Sequence, residues 1–475
     1  MSDQTGFVAA EHSLSAATEK TGFKRILGLG SLLAVAVGLV VSQGVMVLML
    51  QGAGIAGLGF IIPLALGYIL ALTYVYSFSE LSLMIPRAGS LSSYTEVAIG
   101  QFPAILAVFS GYVVVAMFAL SAELLLVDFI LEKIYPGVFP PMSVGFGLLA
   151  IFTVLNLMGI DLFAKLQSVL AFVMVLVLLM LGLSAVFGIA TPHTDGISLT
   201  ADWNPMGAGV ITLVALAIWG YVGAEFVCPL VEESKNPGRD IPRSMLLGVT
   251  IIFVTISIYC LGALFYIPAD ELAASPLPHY DYAKAVFGDV GLTFLAIAAV
   301  TATCSTLNTS LAAIPRMLFG MAQNGQAFPQ LKKLTPGTNT PWVAVLFVAA
   351  VTGLPMIIMG DNPDAIGLLL ISAAIAWLLA YIITHVNVIA LRRRYPDLER
   401  PYKTPFYPLP QIVGIGGMVY AIYYASPAPE LSGQIFGAAG MVLGLVSVIA
   451  VVWIKLVMKK PLFKPEPIEK ALKAE

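Results

Sequence analysis

Glu225 is the residue in this chain whose type and place most invite chemistry. It sits in Leu216–Val231, an apolar segment long enough with its flanks to cross a bilayer, where an ionisable side chain costs several kcal/mol. Gly220 and Gly223 lie just before it and are the residues least reluctant to leave helical dihedrals. Trp219 and Tyr221 flank the first of these glycines. A helix interrupted there would present bare peptide groups, an aromatic wall and an acid together at membrane depth, which is equipment for holding a small polar solute. Glu123 in the third apolar run is a second such carboxylate, and Asp128 follows about a turn and a half later. The pair either attracts a cation or sits solvated at the interface.

The remaining polar candidates are fewer and softer. Val41, Ser42, Gln43 and Gly44 lie in Val37–Met46, a glycine-punctuated stretch inside the first apolar run. Amide donors at the N-terminus of a half-helix there would bind an anion, while the long Gln43 side chain either fills that pocket, bonds an amine, or packs against a neighbouring helix. Asn308 is an amide placed to face the first helix or the site, and His385 is a lone histidine that either titrates or is hydrogen-bonded in place. There is no nucleophile elbow, phosphate loop or paired metal-ligand motif. The reading is therefore not an enzyme, with no cofactor and no metal centre, and gradients as the energy source. Cys228, Cys260 and Cys304 are scattered in apolar runs and suggest neither a disulfide framework nor zinc.

These residues need helices in a membrane to position them. The 475-residue chain is 59% hydrophobic and 11% charged, against roughly 25% charged in soluble proteins, and its mean hydropathy is +0.92. A net charge of -3 offers no basic field for nucleic acid. About twelve apolar runs approach the roughly 20 residues a spanning helix needs. They are Ile26–Leu50, Ile55–Met84, Phe102–Leu131, Met142–Met158, Leu162–Ala190, Met206–Val231, Arg243–Ile267, Val290–Met321, Trp342–Met359, Ala365–Leu391, Leu409–Ala425 and Leu431–Val457. With a cytoplasmic N-terminus, only Lys133 and Lys284 of the 24 basic residues fall outside, so both termini are expected inside a cytoplasmic membrane. The first twenty residues are polar and lack the apolar core of a signal peptide. The expected organisation is a disordered cytoplasmic tail over 1–25, a core over 26–405, helices eleven and twelve over 406–458, and a second cytoplasmic tail over 459–475.

The first five spans and the next five are coarsely alike in opposite topology, and spans one and six are the glycine-punctuated ones. Interrupted helices at corresponding places in two halves mark a solute site near the midplane. Three blocks go beyond hydropathy: Ser79-Glu-Leu-Ser-Leu-Met-Ile-Pro-Arg-Ala-Gly-Ser-Leu-Ser-Ser-Tyr94, Glu232-Glu-Ser-Lys-Asn-Pro-Gly-Arg-Asp-Ile-Pro-Arg243 and Leu391-Arg-Arg-Arg-Tyr-Pro-Asp-Leu-Glu-Arg-Pro-Tyr-Lys-Thr-Pro405. In combination they resemble the amino acid, polyamine and organocation (APC) transporter superfamily. The resemblance implies an all-α membrane protein of twelve helices, a five-plus-five inverted repeat of leucine-transporter type, with helices one and six discontinuous. Locally, Asp240 is expected to cap the seventh helix with Pro242 in its first turn. The blocks are expected to serve topology and loop folding without touching solute.

The resemblance also implies roles. Ser42-Gln43-Gly44 stands where the superfamily usually has a small-residue motif that receives a substrate carboxylate, and Gln43 departs from it. Trp219 resembles the gating tryptophan of an antiporter in the superfamily, and Glu225 resembles an acidic residue that serves as a gate or coupling group. Proton-coupled members carry a lysine in the fifth span, whose counterpart is expected within Leu170–Val175, where there is none. Thr303, Ser305 and Thr306 offer oxygens hard enough for sodium but equally suit helix packing, and Pro315 is expected to bend its helix. The expected solute-binding set is Val41, Ser42, Gln43, Gly44, Trp219, Gly220, Tyr221, Gly223 and Asn308, with Glu225 and Glu123 gating or coupling. The expected function is a permease moving amino acids or related small amines by alternating access, as symporter or antiporter, with proton or sodium coupling. An amine or polyamine carrier is the rival, and a channel or membrane sensor a more distant one.

Overall fold

The computed structural model describes residues 23–187, 189, 203–360, 362–426 and 429–472. Almost all of the expected N-terminal tail, Ala190 and the last three residues of the expected C-terminal tail lie outside the described residues. Among the described residues there is no strand, only one isolated bridge between Leu27 and Ser234. That is the outcome expected of apolar runs in hydrocarbon, where each segment must satisfy its own backbone polar groups.

The elements are α1 (Leu29–Val40), α2 (Gln43–Ala56), α3 (Ile61–Met84), α4 (Leu91–Ala98), α5 (Gln101–Ile134), α6 (Ser143–Leu157), α7 (Ile160–Val186) and α8 (Gly207–Glu233). They continue as α9 (Pro237–Tyr266), α10 (Ala269–Ala274), α11 (Pro278–Gln323), α12 (Trp342–Met359), α13 (Pro363–Arg394), α14 (Leu409–Tyr423), α15 (Pro429–Trp453) and α16 (Ile468–Leu472). Nine helical stretches among the described residues are long and apolar enough to cross a membrane, one of them Gln43–Met84, which turns at Gly57. Leu29–Val40, Ser143–Leu157 and Leu409–Tyr423 are shorter apolar helices.

One local expectation needs correction. The seventh span begins at Pro237, not near Arg243, so Asp240 lies inside its first turn and donates its own N–H to Asn236 O; Asp240 is not the cap. Pro237 starts the helix because a first-turn residue needs no N–H donor. In the eighth span, α11 stays helical through Pro315 to Gln323, with a departure from helical dihedrals at Gly288.

The central elements are α1, α2, α5 and α8. Most of α5 is buried, whereas α15 is the most exposed of the long apolar helices, and apolar side chains such as Phe172, Ile357 and Met441 face outward. One end of the bundle is locked by charge. Arg316 forms a two-pronged ion pair with Glu233 at 2.6 and 2.8 Å, and Glu80 receives Arg392, Arg400 and the Thr404 N–H. Glu232 accepts from Ala88 N, and Ile26 N and Leu27 N both donate to Glu233 O. The three sequence blocks thus meet one another at this end. The expected tail over 459–475 packs on the same end where it is described, with Glu466 N donating to Glu96 O and Arg87 to Ala471 O.

Candidate functional site

The helical run that starts with α1 comes apart at Val41 and Ser42. Val41 leaves helical dihedrals (ψ 86°) and Ser42 is extended (ψ 169°). The Ser42 hydroxyl then accepts from Val45 N at 3.3 Å, capping α2. That cap leaves the first amides of α2 without helical acceptors. Glu123 of α5 takes them: Gln43 N donates to its Oε2 at 2.9 Å and Gly44 N to its Oε1 at 2.8 Å. A carboxylate at a helix N-terminus is favoured both by the free donors and by the helix dipole. Gly44 makes the approach possible, since a Cβ there would lie 2.8 Å from Glu123 Oε1. Two π-helical turns, Phe109–Val113 and Ala116–Leu120, precede Glu123 in α5. Such turns widen a helix and reset the direction of the side chains that follow.

In α8 the break falls at Val222, which is extended (ψ 138°), and Gly223, whose φ of 115° belongs to the glycine-favouring region. Gly223 N donates to Glu225 Oε2 at 3.1 Å and Tyr381 OH at 3.0 Å. Glu225 also accepts from Trp377 Nε1 at 2.9 Å and from Tyr381 OH at 2.6 Å. The second carboxylate is therefore bound to its own break and to α13. Tyr381 stacks on Tyr74, and Tyr74 donates its hydroxyl to Tyr221 O.

The two breaks face one buried cavity of about 30 Å³, bordered by Leu39, Val40 and Ser42 from the first, and Trp219, Val222 and Phe226 from the second. Glu123, Thr306, Ser310 and Trp377 complete its polar and aromatic lining. Room of this size holds water-sized contents, as expected of a closed site. Trp219 also borders a much larger cleft of about 1120 Å³ that includes Leu48, Gln51, Leu216 and Leu370. Its ring is thus the partition between the two spaces. It stands edge-on to Trp377 at 5.9 Å, and its indole N–H is buried with no hydrogen-bond partner among the described atoms.

The expected residues fall into two groups. Ser42, Trp219 and Glu123 border the cavity, as does Thr306, and Gly44, Gly223 and Glu225 shape the breaks. Tyr221 is a correction: its hydroxyl donates to Leu64 O and its ring leans on Tyr68, so it fastens α8 to α3 and turns from the cavity. Val41 and Gly220 are buried but do not border it; a Cβ on Gly220 would meet Met49 Sδ at 3.1 Å. Gln43 does not fill the anion pocket. Its Nε2 donates to Thr303 Oγ1 at 2.7 Å, and its Oε1 is buried without a partner. Asn308 lies in a seam, donating to Gln167 Oε1 and Phe163 O and accepting from Asn156.

Several further placements differ from expectation. Glu123 is 2% exposed, so the solvated interfacial reading fails for it. Asp128 accepts from Val144 N and Gly145 N and so caps α6. In α7 the residue that reaches α1 and α11 through polar bonds is Gln167, not one within Leu170–Val175: its Nε2 donates to Ala34 O and Ser305 Oγ. Ser305 in turn donates to Gly38 O, and Thr306 to Ala302 O. With Thr303 Oγ1 accepting from Gln43 Nε2, all three candidate sodium oxygens are engaged within the protein. His385 contacts the Ser77 and Thr73 hydroxyls. No group of three His, Cys, Asp or Glu side chains suited to a metal occurs among the described residues.

The sequence reading missed Phe226 and Ser310 on the cavity wall and, beside Glu225, Trp377 and Tyr381. The signal for Trp377 and Tyr381 was present, since two aromatics with polar tips four residues apart in an apolar helix share a face.

Known proteins carry the same pattern along most of the chain. A branched-chain amino acid permease of Bacillus subtilis (strain 168) is 26% identical over 428 residues, covering 83% of this chain and 87% of that one. A serine/threonine exchanger of the same organism is 27% identical over 427 residues, covering 85% and 92%. A methylthioribose transporter, also from that organism, is 24% identical over 453 residues, covering 90% and 94%. These relatives are named as a permease, an exchanger and a transporter, which accords with the apolar helices described above. The family model described as amino acid permease matches residues 27–451; the chain belongs to the amino acid permease family, within the APC superfamily.

Proposed function

We propose that this permease is a secondary active transporter that carries a small amine-bearing solute, an amino acid or a simple amine, across the cytoplasmic membrane by alternating access. The observation that carries the reading is that both helix breaks border one buried cavity, which Trp219 separates from a wide cleft. Interrupted helices meeting at a cavity are how carriers hold a solute with backbone groups. The names of the relatives, permeases and exchangers of amino acids, support the solute class. We read the chain as twelve crossings in a five-plus-five inverted repeat with both termini cytoplasmic. In that orientation the ion-paired end around Arg316–Glu233 is the closed cytoplasmic gate and the cleft faces outward. Solute entry then requires Trp219 to swing, and release requires the Arg316–Glu233 pair to part.

Glu225 is the coupling group in this proposal. Bonded to the α8 break and to Trp377 and Tyr381 of α13, it links movement of the broken helix to its neighbour. Proton symport through this carboxylate, or exchange, fits better than sodium coupling at Ser305 and Thr306, because Ser305 is already bonded to Gln167 and Gly38 and Thr306 to Ala302. Counterflow in proteoliposomes tests the carrier reading. Uptake of labelled solute should saturate and should accelerate when unlabelled solute is loaded on the far side. Linear flux without such acceleration would make the protein a channel and end the proposal.

A further inference from the structure

We infer that the solute of this cavity is an organic cation without a carboxylate, because the chain's own Glu123 occupies the seat that a solute carboxylate would need. The inference rests on the cavity being the solute site, as proposed above. A zwitterion buried at membrane depth needs an anion receptor as well as a cation receptor. At the first break the receptor is the pair of free amides at the start of α2, and both are bonded to the two oxygens of Glu123 at 2.9 and 2.8 Å. At the second break the Gly223 amide is directed to Glu225 and Tyr381. Among the described residues that line the cavity there is no Lys, Arg or His, so none of them supplies a side-chain cation in place of those amides.

The rest of the lining suits a positive charge. It offers one carboxylate, already oriented by two amides, and the rings of Trp219, Trp377 and Phe226. A buried carboxylate is costly without a counter-charge, and an ammonium group between it and aromatic faces supplies one. The seat is built for the acid and is not a chance contact, since a side chain on Gly44 would collide with Glu123 Oε1. A solute carboxylate entering the seat would have to evict Glu123 into a cavity that holds no cation to receive it.

The test uses matched pairs that differ by one carboxylate: isobutylamine against valine, and ethanolamine against serine. Binding to the purified full-length protein is measured by calorimetry and thermal shift, and counterflow of the same compounds is measured in proteoliposomes. The expected result is that at least one amine binds at least tenfold more tightly than its amino acid. Glu123→Ala should then weaken the amine at least tenfold and bring the amino acid up to equal or better affinity, because the α2 amides are freed. Glu123→Gln, which keeps the shape, should weaken the amine without that gain. Amino acids binding as tightly as or more tightly than their amines in the unaltered protein would overturn the inference and leave the carrier reading intact. So would failure of both amines to bind. An amine that binds but shows no counterflow would uphold the inference and count against transport.

Discussion

The two helix breaks solve one problem in different ways. At Val41–Ser42 the bare amides are met by an acid from another helix, 80 residues away in sequence. At Val222–Gly223 the acid comes from two residues downstream and is held by side-chain donors of α13. The first carboxylate borders the cavity, while the second sits one layer behind Trp377. A carboxylate against the cavity can meet solute directly; in the proposed mechanism, one tied between two helices transmits their relative position. The breaks differ in backbone, since only the second passes through a positive φ, and under the proposed mechanism they differ in task.

The largest expected effect comes from removing the second acid. Glu225→Ala leaves the Trp377 indole N–H and the Tyr381 hydroxyl without their buried acceptor, while the Gly223 N–H keeps the Tyr381 oxygen. Stability should fall by about 3 kcal/mol, read from denaturant or thermal unfolding, with transport lost. Glu225→Gln retains an acceptor and should unfold nearly as the parent does, yet lose the pH dependence of transport. An unchanged pH profile would remove Glu225 from coupling.

The glycines sharpen the contrast further. Gly223→Ala forces a side chain into φ 115° and within 2.7 Å of Leu39 Cδ2, so it should cost roughly 1–3 kcal/mol of stability. Gly44→Ala has ordinary helical backbone and meets mainly the Glu123 carboxylate at 2.8 Å. It should therefore reduce solute affinity about tenfold, which is about 1.4 kcal/mol, with a smaller loss of stability. Equal profiles for the two variants would erase the distinction between the breaks.

The smallest effects separate Trp219 from Tyr221. Trp219→Ala should weaken solute binding while the protein stays folded, because the ring divides cavity from cleft. Tyr221→Phe removes one hydroxyl bond to Leu64 O and should cost about 1 kcal/mol of stability without changing affinity. A change in affinity would return Tyr221 to the site.

Much of this was legible beforehand. Because apolar run length in a membrane is a one-dimensional constraint, the expected span boundaries lie within several residues of the helix ends except at the start of the eighth span, where α11 begins at Pro278 and not near Val290. Gly223 and Glu225 were legible because the break and its acid are neighbours in sequence. Glu123 was visible as an intramembrane acid, but its partner was not, since nothing in Ala119–Leu126 says which helix end it faces. Tyr221 and Asn308 were misplaced for the same reason. A helix residue's direction depends on where its helix is set among the others, and hydropathy is nearly the same all round such helices.

By itself the sequence determined that the chain is a bundle of membrane helices, that two of them are weakened near their middles, and that Glu225 lies beside one of the weak points. Composition and glycine position suffice for these, because hydrocarbon penalises unpaired backbone wherever it occurs. Only the tertiary structure decided that Glu123 closes the first break, that Trp377 and Tyr381 hold Glu225, and that Trp219 stands between two spaces. Those are meetings of residues distant along the chain, and they are set by the packing of whole helices on one another.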